Sequence, residues 1–136
     1  MWRLDKFESL DSLTGSWIDA ASFAGWTGYI LYDGQGHMGA HLTQKGYDKF
    51  NTDMNIDSLN LDDLKKLTNF YKANFVYFAN YNKTDKSIEH KRLSATEPKN
   101  WGTSVTRDFD FKGDTLILTP HESINGQKLR LRWIRL

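Results

Sequence analysis

Apolar and polar residues alternate along most of this chain, the period expected of strands with one buried face. Residues 26–32 (WTGYILY) and 37–43 (HMGAHLT) flank Asp33-Gly34-Gln35-Gly36, a glycine-rich four-residue turn, and predict a hairpin. Residues 75–81 (FVYFANY) and 87–94 (SIEHKRLS) flank a polar turn at 82–86 and predict a second. A third is predicted where 103–111 (TSVTRDFDF) and 115–119 (TLILT) meet across Lys112-Gly113-Asp114. The last strand, 128–136 (KLRLRWIRL), is entered through Asn125-Gly126. One segment breaks the period. From Leu61 the apolar residues fall at Leu61, Leu64, Leu67 and Tyr71, with charged and polar residues between them, which is the pattern of a one-sided helix. Asn60 suits its N-cap, Asp62 and Asp63 suit the positive end of its dipole, and Lys72 and Asn74 suit the other end. A lone helix among strand pairs fits a plug or flank of a barrel, not a series of βαβ crossovers.

Alternation also assigns faces. In 103–111, Ser104, Thr106, Asp108 and Asp110 face water, leaving Val105, Arg107, Phe109 and Phe111 inside. In the last strand Leu129, Leu131, Trp133 and Arg135 share one face, while Arg130 and Arg132 share the other. In 87–94, Ile88, His90 and Arg92 alternate with Glu89 and Lys91. Arg107 and Arg135 thus sit on otherwise apolar stripes, and His90 joins them. An unpaired charge there costs several kcal/mol even after relaxation, so each basic group needs a carboxylate, an aromatic face, a carbonyl or an acidic ligand. Arg135 is read as structural, stacked on a Trp ring. Arg107 stands open between a carboxylate at the barrel mouth and a ligand. His90 is read first as a hydrogen-bonded core histidine.

Composition narrows the chemistry. At 136 residues the chain is expected to form one domain, 1–136, with a core large enough to need no disulfide or metal. The absence of cysteine excludes thiol catalysis and thiolate metal sites. Eighteen basic against seventeen acidic residues, scattered, give a net charge of +1 and no footprint for nucleic acid. No apolar run is long enough to cross a bilayer. Residues 1–13 (MWRLDKFESLDSL) lack a signal-peptide core, which points to the cytoplasm unless a leader was removed upstream. Met1-Trp2-Arg3-Leu4 echoes Trp133-Ile134-Arg135-Leu136, a match short enough for chance. His37 and His41 have H-x-x-x-H spacing, but along a strand that separation is about 13 Å, too far for one metal. No metal or cofactor is expected. No nucleophile elbow, phosphate loop or inward carboxylate pair is present. The nineteen aromatic residues, 14% of the chain, either fill a core or line a cavity.

Several motifs occur in the order seen in one family. Gly15-Ser16-Trp17 resembles the G-x-W of the lipocalin first strand, and Trp133-Ile134-Arg135 is similar to the closing strand whose Arg packs across that Trp. Gly28-Tyr29-Ile30-Leu31-Tyr32, Gly36-His37-Met38, Phe78-Ala79-Asn80-Tyr81, His90, the run Pro98-Lys99-Asn100-Trp101-Gly102-Thr103 and Arg107 then follow. Over nearly its whole length the chain resembles the bacterial and fungal lipocalin-like domain family. It departs from the pattern at Asn80, where glycine is usual, and in the helix around 61–71. The resemblance implies an all-β fold, an antiparallel up-and-down barrel of about 8–10 strands with one short inserted α-helix, enclosing room for one small ligand. The implied function is binding of a small, largely apolar molecule, acidic or neutral, in the cavity. The alternative is a small barrel enzyme, an isomerase or cyclase, with His90 as base and Arg107 holding an enolate. Candidate ligand contacts are Tyr29, His41, Tyr77, Tyr81, His90, Arg107 and Phe109, with Trp17, Trp101 and Arg135 as structural residues. The expected partner is a small hydrophobic molecule, with neither nucleic acid nor membrane, and a homodimer is allowed.

Overall fold

The computed structural model describes residues 1–49, 53, 55–124 and 126–136. The turn expected at Asn125-Gly126 therefore has its first residue outside the described set. Among these residues nine strands form one antiparallel sheet: β1 (Trp2–Leu10), β2 (Trp17–Asp19), β3 (Thr27–Tyr32), β4 (His37–Thr43), β5 (Phe75–Lys83), β6 (Ser87–Ala95), β7 (Ser104–Lys112), β8 (Thr115–Pro120) and β9 (Leu129–Arg135). Eight of them, β1 and β3 to β9, pair in sequence order, and β9 returns to pair with β1. That closes the barrel and removes its free edges. The short β2 lies alongside the distal half of β1, through Glu8↔Asp19, Ser9↔Ile18 and Leu10↔Trp17.

Alternation puts Ile30, Met38, Ala40, Tyr77, Ala79, Ile88, Leu116, Leu118, Leu129, Leu131 and Trp133 in the core, all buried. β1 is a strand that the sequence pattern did not reveal. Its inward residues are Trp2, Leu4 and Phe7, because the register against β9 runs Leu4↔Trp133 and then Lys6↔Arg132, leaving Asp5 as a bulge. One extra residue shifts the alternation by one place and hides the strand from a period-two reading. The echoing terminal segments are direct partners here, Trp2 opposite Arg135 and Leu4 opposite Trp133.

The two ends of the barrel differ. At one end three tight turns join β3 to β4, β5 to β6 and β7 to β8. Gly34 and Gly36, at φ 78° and 102°, make the first possible, and Asp33 Oδ1 accepts from the N–H of Gln35 and His37 at 2.7 and 2.9 Å. At the other end lie the long connections, including α1 (Leu61–Lys72) between β4 and β5. Asn60 caps α1 by accepting from Asp63 N–H at 3.0 Å. No residue of α1 is buried and none lines the barrel interior, so the helix is a flank, not a plug. Its attachment includes Phe70, whose ring stacks on Tyr47 at 5.3 Å and 3°.

Candidate functional site

Inside the barrel three side chains from three strands form a cross-wall. Tyr32 of β3 and Tyr77 of β5 point their hydroxyls at His90 of β6, 2.9 Å from Nε2 and 2.9 Å from Nδ1 respectively. The imidazole is 0% exposed. Burial, reinforced by the charges of Arg107 and Arg92, lowers its pKa from 6.5 to about 3. It is therefore neutral at ordinary pH, with one N–H and one bare nitrogen, so one tyrosine donates to it while the other accepts. Burial also raises both phenols above the ordinary value, which keeps them protonated. Each ring nitrogen of the imidazole thus has a hydroxyl partner within the triad. Leu118 of β8 completes the wall and touches the space on both sides.

On the loop side of the wall lies a void of about 500 Å³, within the range of small-molecule sites. Its apolar lining includes Phe23, Trp26, Leu42, Phe75, Leu131 and Trp133. Arg92 of β6 and Arg107 of β7 project into the same space. Arg92 is 6% exposed, lies 5.4 Å from the Tyr77 ring centroid, and donates from Nη1 to Asn100 Oδ1 (3.1 Å) and Thr103 Oγ1 (2.8 Å). Those acceptors come from the Pro98–Thr103 motif, whose loop thereby fixes the guanidinium. Burial lowers the Arg92 pKa, but a guanidinium stays charged. Arg107 Nη2 lies 3.5 Å from Glu122 Oε1, while Glu97 is held by Lys99 and Asn100 at 2.8 Å each. No carboxylate among the described residues lies within ion-pair distance of Arg92. Three buried donors on residues that line this void, Arg92 Nε, Arg107 Nη1 and Trp133 Nε1, meet no acceptor among the described residues. Leaving such a group unpaired costs about 1–3 kcal/mol each, more for a charged one.

The residues singled out from the sequence fall into different places. Tyr77 and Arg107 line the loop-side void, while Tyr81 and Phe109 line a smaller space beyond the wall. His90 lies in the wall itself and borders neither. Tyr29 and His41 are not interior residues. They pair with each other across β3 and β4 and face outward, where His41 Nε2 bonds Asn74 Oδ1 at 2.7 Å. The correction follows from alternation, since Gly28, Ile30 and Ala40 hold the inward positions beside them. Trp17 sits on β2, outside the barrel, and the cation over its ring is Arg130 at 4.6 Å, not Arg135. Arg135 instead lies 4.8 Å from the ring of Trp2. Trp101 is 61% exposed; its neighbours Asn100 and Thr103 make the motif's interior contacts.

Two residues that matter were not singled out. Arg92 shares the alternating face of Ile88 and His90, and a basic residue on that stripe was the available signal. Tyr32 ends a strand whose face was legible, but its pairing with His90, 58 positions away, was not.

A protein-family model described as a lipocalin-like domain matches residues 1–135. The chain belongs to the lipocalin-like domain family, a class of closed barrels that in general binds small molecules. Neither curated proteins nor solved structures gave a match. Among the described residues no helix is long and apolar enough to cross a membrane.

Proposed function

We propose that this protein binds a small, largely apolar molecule with an acidic head group in the loop-side void. The head meets Arg92, Arg107 and the indole N–H of Trp133, and the body lies against Phe23, Trp26, Leu42 and Phe75. The observation that carries this reading is the set of three buried donors without an acceptor, two of them on guanidinium groups. Donors without acceptors call for a ligand rich in acceptors, and an anion also offsets the unneutralised charge of Arg92. The rings around them supply the apolar contact that holds the remainder.

Proton abstraction by His90 gains no support from the same geometry. Both ring nitrogens are already bonded to tyrosine hydroxyls, and the lowered pKa makes the imidazole a weak base. Direct binding is the reading that the side chains favour.

Dodecanoate and dodecanol separate head from body in one titration. Trp26 and Trp133 line the void, so intrinsic fluorescence reports occupancy. Dodecanoate is expected to bind about tenfold or more tightly than the alcohol, the worth of one charge-assisted hydrogen bond. Arg92→Met and Arg107→Met should each erase most of that difference. Equal affinity for acid and alcohol in the unaltered protein would overturn the proposal.

A further inference from the structure

Beyond the wall of Tyr32, His90 and Tyr77 the barrel holds a second void of about 190 Å³, at the end of the tight turns. Its lining is mostly aromatic. Trp2 and Phe111 lie 5.9 Å apart at 43°, Phe109 and Phe111 5.9 Å apart at 66°, and Tyr32 and Tyr81 5.1 Å apart at 86°. Phe111, on an inward stripe, is nonetheless 50% exposed, because it stands where this space opens to solvent. A cavity of about 150 Å³ lined by apolar side chains is enough to hold one benzene ring. The space therefore suits a single ring and is too small for a long chain.

The charged residue in its lining is a cation. Lys83 lines the void with its Nζ 5.0 Å from the Phe109 ring centroid, and Arg135 lies over Trp2. Among the described residues neither cation has a carboxylate within ion-pair distance; each is held on an aromatic face. From this arrangement we infer that the turn-end void is a second binding site, which takes a small aromatic carboxylate. Its ring lies among Trp2, Tyr81, Phe109 and Phe111, and its anionic group meets Lys83. The site does not depend on the loop-side proposal, since the two voids share only Leu118 and a wall whose polar groups are bonded to one another.

The test is a titration of the full chain with benzoate, followed by ¹H–¹⁵N NMR, with benzyl alcohol as the neutral comparison. Saturable shifts are expected at the Trp2 indole and along β7 and β8, with the Trp26 and Trp133 indoles unmoved. Benzyl alcohol should bind about fivefold more weakly, as should benzoate to Lys83→Met, the scale of one exposed charge pair. Leu116→Trp, which fills the void, should abolish the benzoate shifts while dodecanoate still quenches the loop-side tryptophans. Shifts confined to Trp26 and Trp133 would overturn the second site. Equal binding of benzoate and benzyl alcohol, or Lys83→Met with unchanged affinity, would overturn its preference for an anion.

Discussion

The two voids are built from the same strands and have opposite chemistry. Along β6 the inward residues run Ile88, His90, Arg92, and along β7 they run Phe109, then Arg107. Each strand thus passes from apolar at the turn end to basic at the loop end within a few residues. The turn end is small, and rings occupy most of it. The loop end is larger and keeps donors that no protein acceptor reaches. Between them stands the polar Tyr–His–Tyr wall, each ring nitrogen answered by a hydroxyl. A buried polar group therefore does not by itself mark a ligand site. What separates the wall from the loop-side site is whether its hydrogen bonds are already made.

The largest test of this contrast is to remove the wall. His90→Leu strands the buried hydroxyl of Tyr77 and the half-buried one of Tyr32, and should destabilise the fold by about 2–5 kcal/mol, read from urea unfolding. A loss below about 0.5 kcal/mol would mean that the triad is not a structural unit.

The next largest effect is on pH. The folded chain holds His90 neutral down to about pH 3, whereas the unfolded chain takes up a proton below 6.5. Its contribution to stability is therefore complete above pH 6.5 and is lost as the pH falls towards 3, at a slope of up to about 1.4 kcal/mol per pH unit. The phenols act in the opposite range. Their raised folded pKa values mean that stability declines above pH 10.0, where the unfolded chain releases protons that the folded chain keeps. NMR titration of the His90 ring should show no inflection between about pH 5 and 8, and an inflection near 6.5 would contradict its enclosure.

Smaller in energy, and more specific, is a crossed pair of substitutions. Arg92→Met should weaken dodecanoate by about tenfold, about 1.4 kcal/mol, and leave benzoate unaffected. Lys83→Met should weaken benzoate by about fivefold and leave dodecanoate unaffected. If either change weakens both probes, the voids are one site. The smallest effect belongs to the outer face: Tyr29→Ala should alter dodecanoate affinity by less than about 0.5 kcal/mol, because that ring points away from both voids.

Some residues were legible in the sequence and others were not. Seven of the barrel strands and α1 followed from period, turn residues and caps, and the inward positions of His90, Arg107 and Phe109 followed from alternation. β1 did not, because the bulge at Asp5 displaces Phe7 from the phase set by Trp2 and Leu4. Tyr29 and His41 have the chemistry of ligand contacts, but the pleat turns both outward. The partner of Trp17 was also misjudged. Arg130 and Arg135 have opposite faces on β9, and only Arg130 lies on the outer side, where β2 packs.

By itself the sequence determined the seven regular strands, the helix and the apolar face of each, since these depend on residues two to four positions apart. It also limited the chemistry, through the missing cysteines, the near-neutral charge and the abundance of rings. Only the tertiary structure decided that Tyr32, Tyr77 and His90 meet across the barrel and divide its interior in two. The same holds for the shortage of acceptors around Arg92 and Arg107. The physical reason is that a hydrogen bond, or the want of one, is a property of the few ångströms around an atom, and closure of the sheet fills that space with side chains from distant parts of the chain.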